Sequence, residues 1–133
     1  MIIDTSAIIA ILAGESDAAY FAQLIEADAC PRIGTPALLE ATLVLTRWFG
    51  DAAATALDAF VRESGAEIVP FDLPQLRLAQ AAYTRFGKGR HPAGLNYGDC
   101  MSYALAQACG EQLLFKGQDF AQTDVLQASN TRQ

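Results

Sequence analysis

The feature that most constrains this chain is a repeated change of period, in which short apolar runs alternate with longer stretches whose apolar residues recur at helical spacing. Met1-Ile2-Ile3 opens the chain and is closed by Asp4. Thr5-Ser6 then offers capping hydroxyls to a helix-prone segment, Ala7 to Ala13, which Gly14 stops. Ser16 or Asp17 starts a second helix, Ala18 to Ala29, carrying Tyr20, Phe21, Leu24 and Ile25. Ile33-Gly34-Thr35 is too short to assign by pattern. Thr35-Pro36 is a good helix start, with Thr35 as N-cap and Pro36 at the first position of a helix reaching Phe49. Ala52 to Glu63 resumes helix, Ala66 to Pro70 supplies a strand, and Asp72 to Phe86 is helical. Gly87 to Leu95 is a loop by its glycines and proline. Asn96 caps a helix from Tyr97 to Cys109 that Gly110 ends, and Gln112 to Phe115 forms the last strand.

Such alternation predicts an α/β layer fold, a mostly parallel central sheet flanked by helices, with sites outside the carboxyl ends of the strands. A single domain over residues 1–133 is expected, because half the residues are apolar and the length suffices for one core. Cys30, Cys100 and Cys109 are odd in number and include no C-x-x-C pair, which favours a reducing compartment. The apolar stretch from Ala7 to Ala13 follows directly on Asp4 and fits neither a signal peptide nor a membrane span, so a cytoplasmic location is expected. A single histidine, His91, excludes a histidine-rich zinc site and a two-histidine ribonuclease mechanism. Gly87, Gly89 and Gly94 do not make a dinucleotide-binding fingerprint, and no phosphate-binding P-loop motif occurs.

The informative residues are acids. Asp4 follows the first strand and Asp119 lies just beyond the last, so both are expected at the ligand edge of the sheet. The commoner use of an Asp before Thr or Ser is to start a turn or cap a helix, and that suffices for Asp4 alone. Glu40 stands among Leu38, Leu39, Leu43, Val44 and Leu45, with Pro36, Ala37, Leu43 and Val44 at helical neighbour positions. No basic side chain is placed to pair with it. On a buried helix such a carboxylate needs a cation, a hydrogen bond or a raised pKa, whereas a narrow solvated stripe through Glu40 and Arg47 would leave it unremarkable. Asp99, three residues after Asn96, completes an N-terminal capping pair and can still project into the crevice, with Ser102 and Tyr103 on the same helix face. If Asp4, Glu40, Asp99 and Asp119 meet, their mutual repulsion is relieved by proton uptake or by a hard cation. The first gives a glycosidase-like acid pair, the second a phosphoryl-transfer site.

A resemblance separates these alternatives. Met1-Ile2-Ile3-Asp4-Thr5-Ser6-Ala7, Pro36 to Ala41, Leu95 to Cys100, and Leu113 to Phe120 with Thr123-Asp124 resemble, in order and spacing, the successive motifs of VapC-type PIN domains. The resemblance covers essentially the whole chain. It implies a three-layer PIN fold, Mg²⁺ or Mn²⁺ held by Asp4 and Asp99 with help from Glu40 and Asp119, and metal-dependent endoribonuclease activity. It also implies a VapB-like antitoxin partner whose C-terminal segment occupies the site, and a homodimer. Gln118 stands where relatives often carry Asn or Asp, which makes Asp124 a second candidate for the last acidic position. Thr5 or Ser6 is a candidate for positioning the attacking water.

RNA would meet a chain with nine basic and fifteen acidic residues and a net charge of −6, an unfavourable mean field unless bound cations reverse the local sign. Arg85, Lys88, Arg90 and His91 upstream of Asp99, together with Lys116, are the candidates for gripping the RNA backbone. As ordinary surface charges on a solvated loop they would need no such role. The rival readings are a non-catalytic interaction module on the same fold and a DNA-directed PIN nuclease. Apolar helix surface around Tyr20, Phe21, Trp48 and Phe49 is the sequence support for a dimer.

Overall fold

The computed structural model describes residues 1–129. In chain order the elements are β1 (Ile2–Ile3), α1 (Thr5–Leu12), α2 (Ala18–Ala27), β2 (Arg32–Gly34), α3 (Thr35–Phe49), α4 (Ala52–Ser64), β3 (Glu67–Val69), α5 (Leu73–Phe86), α6 (Tyr97–Cys109) and β4 (Leu113–Leu114), followed by a 3-10 turn at Phe120–Gln122. The strands form one sheet in the order β3-β2-β1-β4, and every pairing is parallel. Parallel strands are covered by helices on both faces, which is why β1 and β4 are apolar at every position.

The alternation of side chains along each strand sorts the core into two layers. Ile2 pairs with Leu113 and Ile3 with Leu114. Ile3, Leu114 and Ile33 pack with Ala7, Ile8, Phe21, Ile25, Ala41, Leu45 and Leu57 of α1 to α4. Ile2, Leu113 and Phe115 pack on the opposite face with Ala79, Ala82 and Phe86 of α5 and Tyr103 to Ala106 of α6. The result is the expected three-layer α/β arrangement. A slip of one residue in β1 would exchange the two faces and put each side chain against the wrong helices.

Local chemistry sets the element boundaries, and in places differs from the expectation drawn from sequence. The N-cap of α1 is Asp4, which accepts the Ser6 N–H at 3.0 Å, so Thr5 and Ser6 lie inside the helix rather than capping it. The N-cap of α3 is Gly34, and Thr35 is the first helical residue. The Thr35 hydroxyl instead accepts the Phe71 N–H at 3.3 Å. Helix α2 stops at Ala27 because Asp28 turns to an extended conformation, two residues short of Ala29. The short segment Ile33-Gly34 is indeed a strand, held between β1 and β3.

Leu114 is 1% exposed and is packed from the β4 side against the helix layer of α1 to α4. Leu114→Ala is expected to destabilise the fold by about 2–5 kcal/mol, the range for deleting a buried leucine side chain. Leu43→Ala, at a position 63% exposed, is expected to change stability by about 0.5 kcal/mol or less. Urea denaturation of both variants checks the contrast, and equal effects would contradict the two-layer core.

Candidate active site

The strand order places a switch point between β1 and β4, since the chain steps from β1 to β2 and β3 on one side and returns to β4 on the other. Asp4 leaves the carboxyl end of β1 and Asp119 follows that of β4. Helix α3 leaves β2 and carries Glu40, and the N-terminus of α6 presents Asp99. All four predicted acids therefore approach one edge of the sheet. Asp99 feels the charges of Asp4, Asp119 and Glu40, in that order of strength.

Each of the two inner carboxylates is held by one of its oxygens. Asp4 is buried, and its Oδ2 accepts the Ser6 N–H at 3.0 Å and the Ser6 hydroxyl at 2.6 Å. The same hydroxyl oxygen accepts the Lys116 N–H at 2.9 Å, which ties the loop after β4 to the start of α1. Asp99 Oδ2 accepts the Asn96 N–H at 3.1 Å, and Asn96 Oδ1 accepts the Asp99 N–H at 2.9 Å, closing a full capping box. Among the described residues, Oδ1 of Asp4 and Oδ1 of Asp99 take no hydrogen bond from protein groups. One oxygen of each acid thus serves a helix start, while the other takes no hydrogen bond among the described residues.

None of the four acids has a basic partner among the described residues. The described ion pairs involve other acids, and two of the candidate bases are already engaged. Lys116 Nζ contacts Glu15 at 2.7 Å and Asp17 at 3.2 Å. Arg85 pairs with Asp124 at 3.1 Å, and the Tyr103 hydroxyl donates to the same carboxylate. Burial is the main cause that raises the Asp99 carboxyl from 3.8 to about 6, opposed by the Asn96 N–H and reinforced by Asp4, Asp119 and Glu40.

A scan against family models matches the PIN domain over residues 1–126. The chain is 46% identical over 125 residues to VapC ribonuclease Mb0640 of Mycobacterium bovis, covering 94% of this chain and 95% of that protein. It is 45% identical to Ribonuclease VapC of Mycolicibacterium smegmatis, over 94% of this chain and 97% of the other. This chain belongs to the VapC family of PIN-domain proteins. Solved structures share its fold: VapC20 of Mycobacterium tuberculosis, titled a sarcin-ricin loop cleaving toxin, superposes with a TM-score of 0.76 at 19% identity, covering 94% of this chain and 95% of that one. VapBC2 of Rickettsia felis, bound to a promoter DNA fragment, gives 0.74 at 16% identity, covering 98% of each chain.

PIN-domain ribonucleases as a family depend on a divalent metal, and the donor set of this VapC-family chain fits one. Carboxylate oxygens with no basic partner are hard, anionic donors. Among the described residues no three His, Cys, Asp or Glu side chains are grouped closely enough to hold an ion by themselves. The acids approach one edge of the sheet without forming a closed cage among the described residues.

The remaining predicted residues are placed elsewhere. Thr5 is buried, and its hydroxyl donates to the Ala37 carbonyl at 3.3 Å between α1 and α3. Ser102 is buried in the core side of α6, beneath the ligand edge. Arg85 and Lys116 hold carboxylates, as above, while Lys88 and Arg90 are exposed on the loop after α5, with the Arg90 guanidinium 5.7 Å from the centre of the Tyr83 ring. The helix around Glu40 is not deeply buried, since Leu39 and Leu43 are largely exposed while Ala37, Ala41 and Leu45, with partly buried Leu38, face the core. The acid spacing gives no role to Ser6 as the clamp on Asp4, or to Gly98. The available signals were a hydroxyl two residues after the strand-end acid and a glycine inside the first turn of a helix.

The raised Asp99 carboxyl has a pH signature in the metal-free protein. The native state binds this proton more tightly than the unfolded chain, so the Asp99 contribution to stability declines as pH rises from 3.8 to about 6 and is flat above. Asp99→Asn removes that slope, so its stability relative to the parent is expected to improve steadily across this window. Denaturation midpoints at several pH values between 4 and 7 check this, and parallel profiles would contradict it.

Proposed function

We propose that this chain is a Mg²⁺- or Mn²⁺-dependent endoribonuclease that hydrolyses RNA phosphodiester bonds, and that it is the toxin of a toxin–antitoxin pair. The observation that carries this reading is identity of 46% over nearly the whole chain to proteins named VapC ribonucleases. The site chemistry agrees with it. In this reading Asp4 and Asp99 hold the ion, Glu40 and Asp119 assist, and residues 1–133 act as one PIN domain. Asp124 is a weaker candidate than Asp119, because Arg85 and Tyr103 already occupy its carboxylate. The chemistry that a divalent cation supplies in such a site is activation of water for in-line attack at phosphorus and stabilisation of the departing 3′ oxygen.

The chain's own residues do the rest. Ser6 fixes the direction of Asp4, and Asn96 fixes that of Asp99, so the two free carboxylate oxygens are oriented before substrate arrives. Lys88 and Arg90 are the exposed cations best placed to meet the phosphate backbone. Arg85 and Lys116 could do so only by leaving their acidic partners.

An antitoxin partner is supported by the structural neighbours, which include a toxin–antitoxin complex from Klebsiella pneumoniae and the Rickettsia felis pair. It is supported also by two adjoining apolar cavities, one of them lined by Glu40, which share Phe71, Tyr97 and Met101. A homodimer is supported by exposed Tyr20, Trp48 and Phe49, while Phe21 belongs to the core and drops out of that surface. No helix among the described residues is long and apolar enough to cross a membrane, and a cytoplasmic site of action is part of this reading.

The test is to purify the chain free of any antitoxin and incubate it with total RNA and with single-stranded DNA, in Mg²⁺, in Mn²⁺ and in EDTA. RNA cleavage that needs metal is expected, with Asp4→Asn and Asp99→Asn each slower by about 100-fold or more, the scale of removing one charge-stabilising group from an active site. Equal cleavage in EDTA would overturn the mechanism. Preferential cleavage of DNA would favour the DNA-directed reading.

A further inference from the structure

Gly98 lies in the first turn of α6, one residue before Asp99. It is not among the glycines with positive φ, so its backbone makes no demand that alanine could not meet. Inside a helix alanine is the better residue on propensity alone. The reason for glycine lies across the cleft. A Cβ built at position 98 would stand 2.8 Å from Glu40 Oε1 and 2.9 Å from Glu40 Cδ, with Oε2 nearer still. The Glu40 carboxylate thus occupies the volume that any side chain at position 98 would fill.

We infer that Gly98 is a positioning residue: its missing side chain is the seat in which the Glu40 carboxylate lies against the first turn of α6, beside Asp99. Three features of the fold converge on that seat. The positive end of the α6 dipole favours a carboxylate there. Glu40 has no basic partner among the described residues that would hold it in place otherwise. Helices α3 and α6 are packed against one another, so the backbones at positions 40 and 98 cannot easily separate to make room. A methyl group at position 98 would be accommodated by the flexible end of Glu40 swinging away. Alanine at this position is therefore compatible with the fold and incompatible with Glu40 in its place. The consequence for ion binding rests on the metal-site reading above; the seat itself does not.

The experiment compares the parent, Gly98→Ala, Glu40→Ala and the double variant as purified full-length chains. Thermal unfolding is followed without metal, Mn²⁺ affinity by calorimetric titration, and the Glu40 side-chain carboxyl by ¹³C NMR. The expected result is that Gly98→Ala melts no lower than the parent and shifts the Glu40 carboxyl resonance. Its Mn²⁺ affinity is expected to fall about tenfold, the lower end of what displacing a supporting group costs a metal site. The double variant is expected to match Glu40→Ala, because once the carboxylate is gone the methyl displaces nothing. An unmoved Glu40 resonance in Gly98→Ala overturns the inference, as do losses of affinity that simply multiply in the double variant. Should the parent take up no Mn²⁺, the metal reading fails while the NMR comparison still decides the seat. Should Gly98→Ala misfold, a folded double variant supports the seat and a misfolded one overturns it.

Discussion

The pairing of β1 with β4 is the contact on which the rest of this molecule depends. It joins the first strand of the chain to the last, across more than a hundred residues of intervening sequence, through only two residues on each side: Ile2 with Leu113 and Ile3 with Leu114. That pairing divides the core into its two layers and places the switch point of the sheet between the two strands. It also brings Asp4 and the Asp119 loop to the same edge. The Ser6 hydroxyl reinforces it by accepting the Lys116 N–H while donating to Asp4, so one short side chain couples the closure of the sheet to the orientation of a site carboxylate.

Charge organises the molecule in a second way. The chain has a net charge of −6, yet its acids are not equivalent. Glu15, Asp17 and Asp124 neutralise Lys116 and Arg85, and Asp28 and Glu111 receive the N-terminal ammonium of Met1. The four acids at the sheet edge are left without such partners. What distinguishes these four from the other unpaired acids is that Asp99 feels the charges of Asp4, Asp119 and Glu40 together, so the local field differs from what the net charge suggests.

Much of this was legible in the sequence because periodicity and capping are local. The helices from α3 onward, the loop after α5 and the Asn96–Asp99 capping box follow from residues within a few positions of one another. What was not legible depends on distant partners. Glu40 was singled out for burial among leucines, of which Leu39 and Leu43 in fact point outward while Leu45 is buried: a pattern of apolar residues cannot distinguish a core face from an exposed one. The choice between Asp119 and Asp124 turns on Arg85 and Tyr103, which lie on two other helices. Thr5 and Ser6 look interchangeable as neighbouring hydroxyls, yet helix geometry sends one into the α1–α3 contact and the other to Asp4. The engagement of Lys116 by Glu15 and Asp17 likewise spans about a hundred positions.

The capping box at Asn96 and Asp99 has a consequence for how such a protein can change over time. One carboxylate completes the start of a helix and, in the function proposed for this chain, also holds the ion. A gene drifting under relaxed selection would not easily lose this acid while keeping the scaffold intact, because discarding it also removes the partner of the Asn96 N–H at the start of α6. Asparagine is the substitution that leaves the helix start nearly whole, since its amide oxygen can still accept. Descendants that retain the fold as a binding partner alone would therefore be expected to carry asparagine at this position more readily than alanine.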